Sequence, residues 1–410
     1  MTNNDFSLAL DLGTTTLVGR LLGGDGAVLA EGRCANPQGV VAADIVRRLE
    51  AARYGRAAEL QGLLAEGIGA LTDGLLQQAG VPRERLGAVA LAANPGIAHL
   101  LAAESVEGLL FPPHRPVFRG GAYYPASRFA LDLACPVYLF PLVSGYVGGD
   151  LVAFLFGQDQ PGVATLYVDI GTNAELALYA EGRWLVSSVA AGPAFEGGEI
   201  ACGMQRGPGA VEDVSIAADR LVLKTLGEGP PRGICGSGLA AAVAAGRAGG
   251  LIDAAGTLRL PGEVATNLAR YLGERQGQRV LRLYRDARTE LYLAQDDIRA
   301  FQLAKGAVHA GVACLLRRAE LPAEALRQVV VTGAFGSALG LETLKKVAML
   351  PESVLEKVRF EGDGVLRGAV RFLSTPGAAA RVAKLAASLR SYPLSGTPAF
   401  EKAFIAALNF

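Results

Sequence analysis

Two short stretches of the chain could do chemistry together. Asp11-Leu12-Gly13-Thr14-Thr15 and Asp169-Ile170-Gly171-Thr172-Asn173 share an acidic residue, a glycine and hydroxyl or amide side chains in one order. Glycine lets a chain turn sharply at a strand end, so the following backbone N–H groups converge on one concavity. Such a nest binds phosphate oxygens, and threonine hydroxyls add donors. An aspartate anchored at the strand end is placed to hold a hydrated Mg²⁺ through water. A single copy also fits an ordinary hairpin. Two copies, at matching places in a duplicated unit, suggest facing hairpins gripping one polyphosphate in a cleft.

The elements around the two stretches repeat as well. LALDLGTTTLVGRLLGGDGAVLAE and LYVDIGTNAELALYAEGRWLVSS each read as strand, acidic residue, Gly-Thr turn, strand, turn and strand, with an offset of 158 residues. A repeat of that length marks two large duplicated units and not a short-period solenoid. Helical patterns are expected at 42–54, 57–79, 239–248 and 296–318, and buried strands at 88–92 and 329–332. LVSGYVGGDLVAFLF reads as an apolar helix over 142–156, and the Pro- and aromatic-rich 112–136 as an irregular insertion. Gly236, Ser237 and Gly238 open a helix whose N-terminal amides are suited to a phosphate or a ribose.

Composition limits the alternatives. The 410 residues carry 39 Lys+Arg against 39 Asp+Glu, with 51% hydrophobic and 19% charged residues. That excludes disorder, and the absence of a basic excess argues against a nucleic-acid partner. Five scattered cysteines (Cys34, Cys135, Cys202, Cys235, Cys314) include no CxxC or CxH pair, so no iron–sulfur cluster is expected within the chain. The uncharged stretches 86–103 and 133–149 contain Pro, Gly and polar residues and read as core, not as membrane spans. The first residues lack the basic flank and apolar centre of a signal peptide, so a cytoplasmic location is expected. His99, His114 and His309 have no ligand-spaced partner and read as core or surface histidines.

Taken together, the motifs resemble the superfamily of acetate and sugar kinases, heat-shock chaperone ATPases and actin. ALDLGTTT and YVDIGTN resemble its two phosphate motifs, SGYVGGDLVAFLFG its first connecting helix, VVVTGAFGSALG its adenosine motif and EGDGVLRGAVRFL its second connecting helix. The resemblance implies an α/β, actin-like ATPase fold: two duplicated ribonuclease-H-like lobes with a nucleotide cleft between them. The expected lobes are 1–155 plus 362–410, and 156–361. It implies ATP and Mg²⁺ as cofactors, with Asp11 and Asp169 as water-mediated metal holders. Gly13, Thr14, Thr15, Gly171, Thr172 and Asn173 are then phosphate donors, and Gly333, Ala334 and Gly336 approach adenine and ribose. Asp150 stands where relatives position the attacking water. Gly364 and Gly368 serve close helix packing, Glu196 touches either Mg²⁺, a client or solvent, and Lys305 lies along the long helix.

A narrower resemblance rests on CANPQGVVAADIVRRL, AAGPAFEGGEIACGMQRGPGAVEDV, GICGSGL, DDIRAFQLAKGAVHAGV and FEKAFIAALNF. These are similar to the ATPase portion of the reductive activators of corrinoid proteins, which couple ATP hydrolysis to returning Co(II) corrinoid to Co(I). Members usually carry a ferredoxin-like or other cluster domain ahead of this portion; here the first phosphate motif comes almost at once. The expected partners are therefore a corrinoid protein or other redox client and a separate electron donor such as a ferredoxin. A homodimer is compatible with this reading. A small-molecule kinase and a non-catalytic nucleotide sensor of the same fold are the alternatives.

Overall fold

The computed structural model describes residues 6–333, 335 and 339–410. The chain divides into two compact units. One comprises residues up to Gly162 with Arg183–Val186 and Asp363–Tyr392; the other comprises Val163–Gly182, Ser187–Gly362 and Pro393–Phe410.

In the first unit Phe6–Leu12, continuously buried over Leu8, Ala9 and Leu10, pairs antiparallel with Thr16–Leu22, and that strand pairs antiparallel with Val28–Ala35. On its other side Phe6–Leu12 pairs in parallel with Leu86–Ala93, which pairs in parallel with Val137–Leu139. Strands in the middle of such a sheet are covered on both faces, so they read as apolar runs. The 23-residue helix Ala57–Ala79 lays Leu64, Ile68, Leu71, Leu75 and Leu76 on one face of this sheet, at helical spacing, in a core shared with Leu8, Leu10, Leu12, Leu17 and Leu91. Gly80 ends it in the left-handed conformation.

The second unit's main sheet has the same plan. Thr165–Ile170 pairs antiparallel with Asn173–Ala180, followed by Arg183–Ala190, and in parallel with Gln328–Gly333, which pairs in parallel with Val358–Phe360. In both sheets the first three strands lie in the order third, second, first, and two later strands continue in parallel beside the first, with the Gly-Thr turn at the end of that central strand. Two three-stranded sheets, built on Ala210–Ala217 and on Gln278–Arg285, complete this unit.

Several expectations need correction. The helix read over 142–156 is only Gly149–Phe156. Ahead of it Ser144 Oγ accepts from the amides of Tyr146 (3.3 Å) and Val147 (3.1 Å), a local side-chain turn that competes with helix. The 112–136 segment is not wholly irregular: Ala122–Tyr124 pairs antiparallel with Val137–Leu139 and forms the edge of a six-stranded sheet. The helix read over 42–54 begins at Ile45, capped by Asp44, and passes at Ala52–Arg56 into a π turn broken by Gly55 at φ 98°.

The glycine at the second connecting helix does pack as expected. Gly364–Leu373 crosses Gly149–Phe156 so closely that a Cβ on Gly368 would lie 1.7 Å from the Ala153 carbonyl oxygen. Phe372 of that helix stacks on Tyr138, with ring centroids 4.1 Å apart.

Candidate functional site

Asp11 is the sixth residue of its strand and faces Val18 on one side and Ala92 on the other. Asp169 occupies the same place between Glu175 and Thr332. Both are half-buried. The turns that follow are closed by the glycine amides: Gly13 N–H donates to Thr16 O (3.0 Å), and Gly171 N–H to Asn173 O (2.9 Å), so the second turn is one residue shorter. In each unit the segment after the third strand donates back onto the turn, Asn36 N–H to Thr15 O (2.8 Å) and Gly192 N–H to Thr172 O (2.9 Å). A 3₁₀ turn with proline at its start follows in both, Pro37–Val40 and Pro193–Glu196.

Three residues not expected from sequence hold the first turn. The Asn36 side chain accepts from Gln38 N–H (3.0 Å) and donates to Gly13 O (2.9 Å). Asn94 accepts from Ile97 N–H (2.9 Å) and donates to the Thr14 hydroxyl (3.1 Å). Each caps a proline-led helical turn with one end and braces the Gly-Thr turn with the other. Asn-Pro at 36–37 and 94–95 is the signal that marks them. Arg48, 1% exposed, donates to Thr14 O (2.7 Å), Ala42 O (2.8 Å), Ala43 O (3.2 Å) and Gln38 Oε1 (3.4 Å). Burial lowers its pKa, opposed by the Asp44 charge. Gln38 in turn donates to Leu60 O (2.8 Å), tying the turn to the long helix.

The second turn is held differently. Glu196 Oε1 accepts from Thr172 N–H at 2.8 Å, so a carboxylate meets an amide that the sequence assigns to phosphate. Gly171 makes room: a Cβ there would sit 3.1 Å from that oxygen. Gly333, at φ 96°, lies beside Ile170, and a Cβ on it would come within 2.1 Å of Ile170 O and 2.7 Å of Asp169 Oδ1. The matching residue beside Leu12 is Ala93. Ala334 and Gly336 lie outside the described residues.

Asp150 is in the first turn of Gly149–Phe156, where its Oδ1 accepts from Leu151 N–H (2.8 Å). Desolvation pushes its carboxyl up to about 6, against the lowering effect of hydrogen bonds from the Leu151 and Asp150 amides. Gly148 lets this segment lie against Ala93 O and the Asn94 Cα, both 2.6 Å from a hypothetical Cβ. Asp150 therefore belongs to the same unit and neighbourhood as the strand end beside Asp11.

Gly236, Ser237 and Gly238 are buried in the first turn of Gly236–Ala248, capped by Cys235. Their small size has a packing cause: a Cβ on Gly236 would lie 1.9 Å from Phe195 O, and one on Gly238 2.0 Å from Val211 O. Lys305 is fully buried; its ammonium donates to Asn409 O and sits 4.9 Å from the centre of the Phe410 ring. Burial brings its pKa down to about 8. It anchors the segment ending at Phe410. His99 is buried, with Nδ1 2.9 Å from Pro95 O, and desolvation lowers its pKa. Among the described residues no group of three or more His, Cys, Asp or Glu comes together as a metal-holding set, and no helix is long and apolar enough to cross a membrane.

Asp11 and Asp169 each offer hard carboxylate oxygens beside a Gly-Thr turn, a donor type that suits a Mg²⁺ keeping most of its water. Duplicated sheets with a phosphate-type turn at each central strand define an actin-like α/β fold of the nucleotide-binding ASKHA class. The chain belongs to the RACo family: residues 163–410 match the C-terminal domain of RACo, the ASKHA domain, and 6–159 match the RACo middle region. It is 27% identical over 384 residues to the corrinoid activation enzyme RamQ of Eubacterium limosum, covering 90% of this chain and 64% of that protein. It is 27% identical over 274 residues to the [Co(II) methylated amine-specific corrinoid protein] reductase of Methanosarcina barkeri, covering 60% of this chain and 46% of that protein. This chain thus spans about two thirds of the first of these relatives and less than half of the second. A solved structure of a reductive activator for corrinoid, iron-sulfur protein superposes with a TM-score of 0.92 at 28% identity, over 100% of this chain and 67% of that one.

Proposed function

We propose that this chain is the ATP-hydrolysing portion of a cytoplasmic activator that drives a corrinoid protein from Co(II) to Co(I), the electron coming from a separate donor such as a ferredoxin. The observation that carries the nucleotide part is the recurrence of one Asp-x-Gly-Thr turn at the same register of two like sheets. Membership of the RACo family and the corrinoid activation and reductase activities of its relatives support the corrinoid part.

In this reading the backbone and hydroxyl donors of Gly13, Thr14 and Thr15 in one unit and of Gly171, Thr172 and Asn173 in the other serve the same triphosphate. Gly333, with Ala334 and Gly336 beyond the described residues, is assigned to its adenosine, and Gly236–Gly238 to the same part of the ligand. Mg²⁺, held through water by Asp11 and Asp169, supplies neutralisation of phosphate charge. Asp150 accepts a proton from the attacking water as the water oxygen bonds to the γ-phosphorus and the bond to the ADP oxygen breaks. A carboxyl titrating near 6 is largely ionised at neutral pH yet still basic enough for that role. Asn36, Asn94 and Arg48 contribute by fixing the first turn before ligand arrives, so that no ordering is left to be done on binding.

The test is phosphate release from ATP by purified protein, with and without a Co(II) corrinoid protein and a reductant. Slow turnover that the corrinoid protein stimulates, together with loss of the Co(II) absorbance, is expected. Turnover indifferent to that partner but raised by a small hydroxylated acceptor would transfer the site to a kinase, and binding without turnover to a sensor.

A further inference from the structure

The second Gly-Thr turn carries its own anion. Glu196 Oε1 takes the Thr172 amide at 2.8 Å, and the Thr172 carbonyl takes the Gly192 amide at 2.9 Å, so the 3₁₀ turn Pro193–Glu196 is clipped to the hairpin from both sides. The backbone of this turn has little freedom. Phe195 is 1% exposed, its ring 5.7 Å from that of Phe301 and 4.8 Å from that of Phe335, and Gly236 packs directly on its carbonyl. Glu196 itself is half-buried, and the residue after it, Gly197, turns away at φ 79°. A rotation of the Glu196 side chain frees the Thr172 amide without moving the turn.

We infer that Glu196 is a built-in competitor for the second phosphate-binding turn: its carboxylate occupies the Thr172 amide until a phosphate oxygen displaces it. This rests on the nucleotide reading given above. A carboxylate and a phosphate oxygen are the same kind of partner for an amide, both anionic acceptors, so one N–H pointing along one direction cannot serve both at full strength. At the first turn the side chains named above, Asn36, Asn94 and Arg48, act instead as donors to its carbonyl and hydroxyl oxygens. Binding at the second turn therefore carries the cost of breaking one charge-assisted hydrogen bond, and affinity is held below what the turn alone would give.

The experiment is titration calorimetry of the full chain with Mg²⁺–AMPPNP, comparing wild type, Glu196→Ala and Glu196→Gln. Losing a charged acceptor that must otherwise be displaced is expected to tighten binding about five- to tenfold in Glu196→Ala. Glu196→Gln, which keeps a neutral acceptor oxygen and the side-chain volume, is expected to fall between; it also serves if the alanine variant does not fold. Unchanged or weaker binding in both variants, with wild type binding normally, overturns the competitor while leaving the nucleotide reading intact. No binding by any of the three overturns the nucleotide reading and the competitor with it.

Discussion

The two hairpins are copies in backbone plan and opposites in what surrounds them. Each central strand has an aspartate as its last residue but one, each turn is closed by a glycine amide, and each is approached by a proline-led 3₁₀ turn after the third strand. At the first turn that approach brings donors: Asn36 and, from further along the chain, Asn94 and Arg48. At the second it brings an acceptor, the Glu196 carboxylate. Gly192 stands where Asn36 stands, so no side chain is available there to brace the carbonyl side. The difference teaches that duplication preserved the turn while the two copies took different work. One turn is preset by buried donors, and the other is tuned by a resident anion.

That contrast can be attacked in order of expected effect. Removing the proposed base has the largest consequence: Asp150→Asn should lower kcat for ATP by a factor on the order of 10²–10⁴ while nucleotide affinity holds, read from steady-state phosphate release. If turnover persists, Asp150 is not the base.

Next comes the donor side. Arg48→Ala strips four oxygen acceptors of a buried cation, including Thr14 O. A loss of about 3 kcal/mol and a Tm fall of roughly 6–12 °C are expected, with Arg48→Lys recovering part of it. A neutral outcome in thermal melts would remove the preset first turn from the comparison.

Gly333→Ala is a sharper test of the asymmetry. It writes into the second unit the residue that the first unit has at Ala93. The added methyl meets Ile170 O and the Asp169 carboxylate, and φ is 96°. A cost of about 1–3 kcal/mol is expected, together with weaker Mg²⁺-nucleotide binding. If it is tolerated in both melts and titrations, the second aspartate is less tightly framed than described.

The smallest effect concerns pH. The folded Asp150 carboxyl titrates at about 6, above its ordinary range, because burial disfavours the charge. Between roughly pH 4 and 6 the native state binds more protons than the unfolded state, so stability falls as pH rises through that window and then levels. Asp150→Asn should therefore raise Tm by a few degrees at pH 7.5 and change it little at pH 4. A gain at pH 4 as large as at pH 7.5 would contradict this origin. Turnover should rise with pH through about 6 for the same group.

Much of this was legible in the chain. The hairpin repeat from Asp11 to Asp169, the strand pattern around it and the close-packed glycine Gly368 follow from local spacing, which periodicity and turn chemistry register directly. What was not legible lies in contacts between distant residues. Asn94 meets Thr14 across 80 positions, Arg48 meets it across 34, and Glu196 meets Thr172 across 24. A buried arginine on a helix of mixed charge, and a glutamate just ahead of two glycines, look like solvated residues until the fold brings their partners up. The late start of Gly149–Phe156 was missed because an apolar run says nothing about the serine turn that competes with it. The glycines at 236 and 238 read as ligand-facing from their place at a helix start, and that spacing did not register that each also packs against a distant carbonyl, Phe195 O and Val211 O.

The most direct question is whether the two turns serve one nucleotide. Calorimetry of the full chain with Mg²⁺–AMPPNP should give one site, weakened at least about tenfold by Asp11→Asn and, separately, by Asp169→Asn, with both variants folded by circular dichroism. Undiminished binding after either substitution would contradict it.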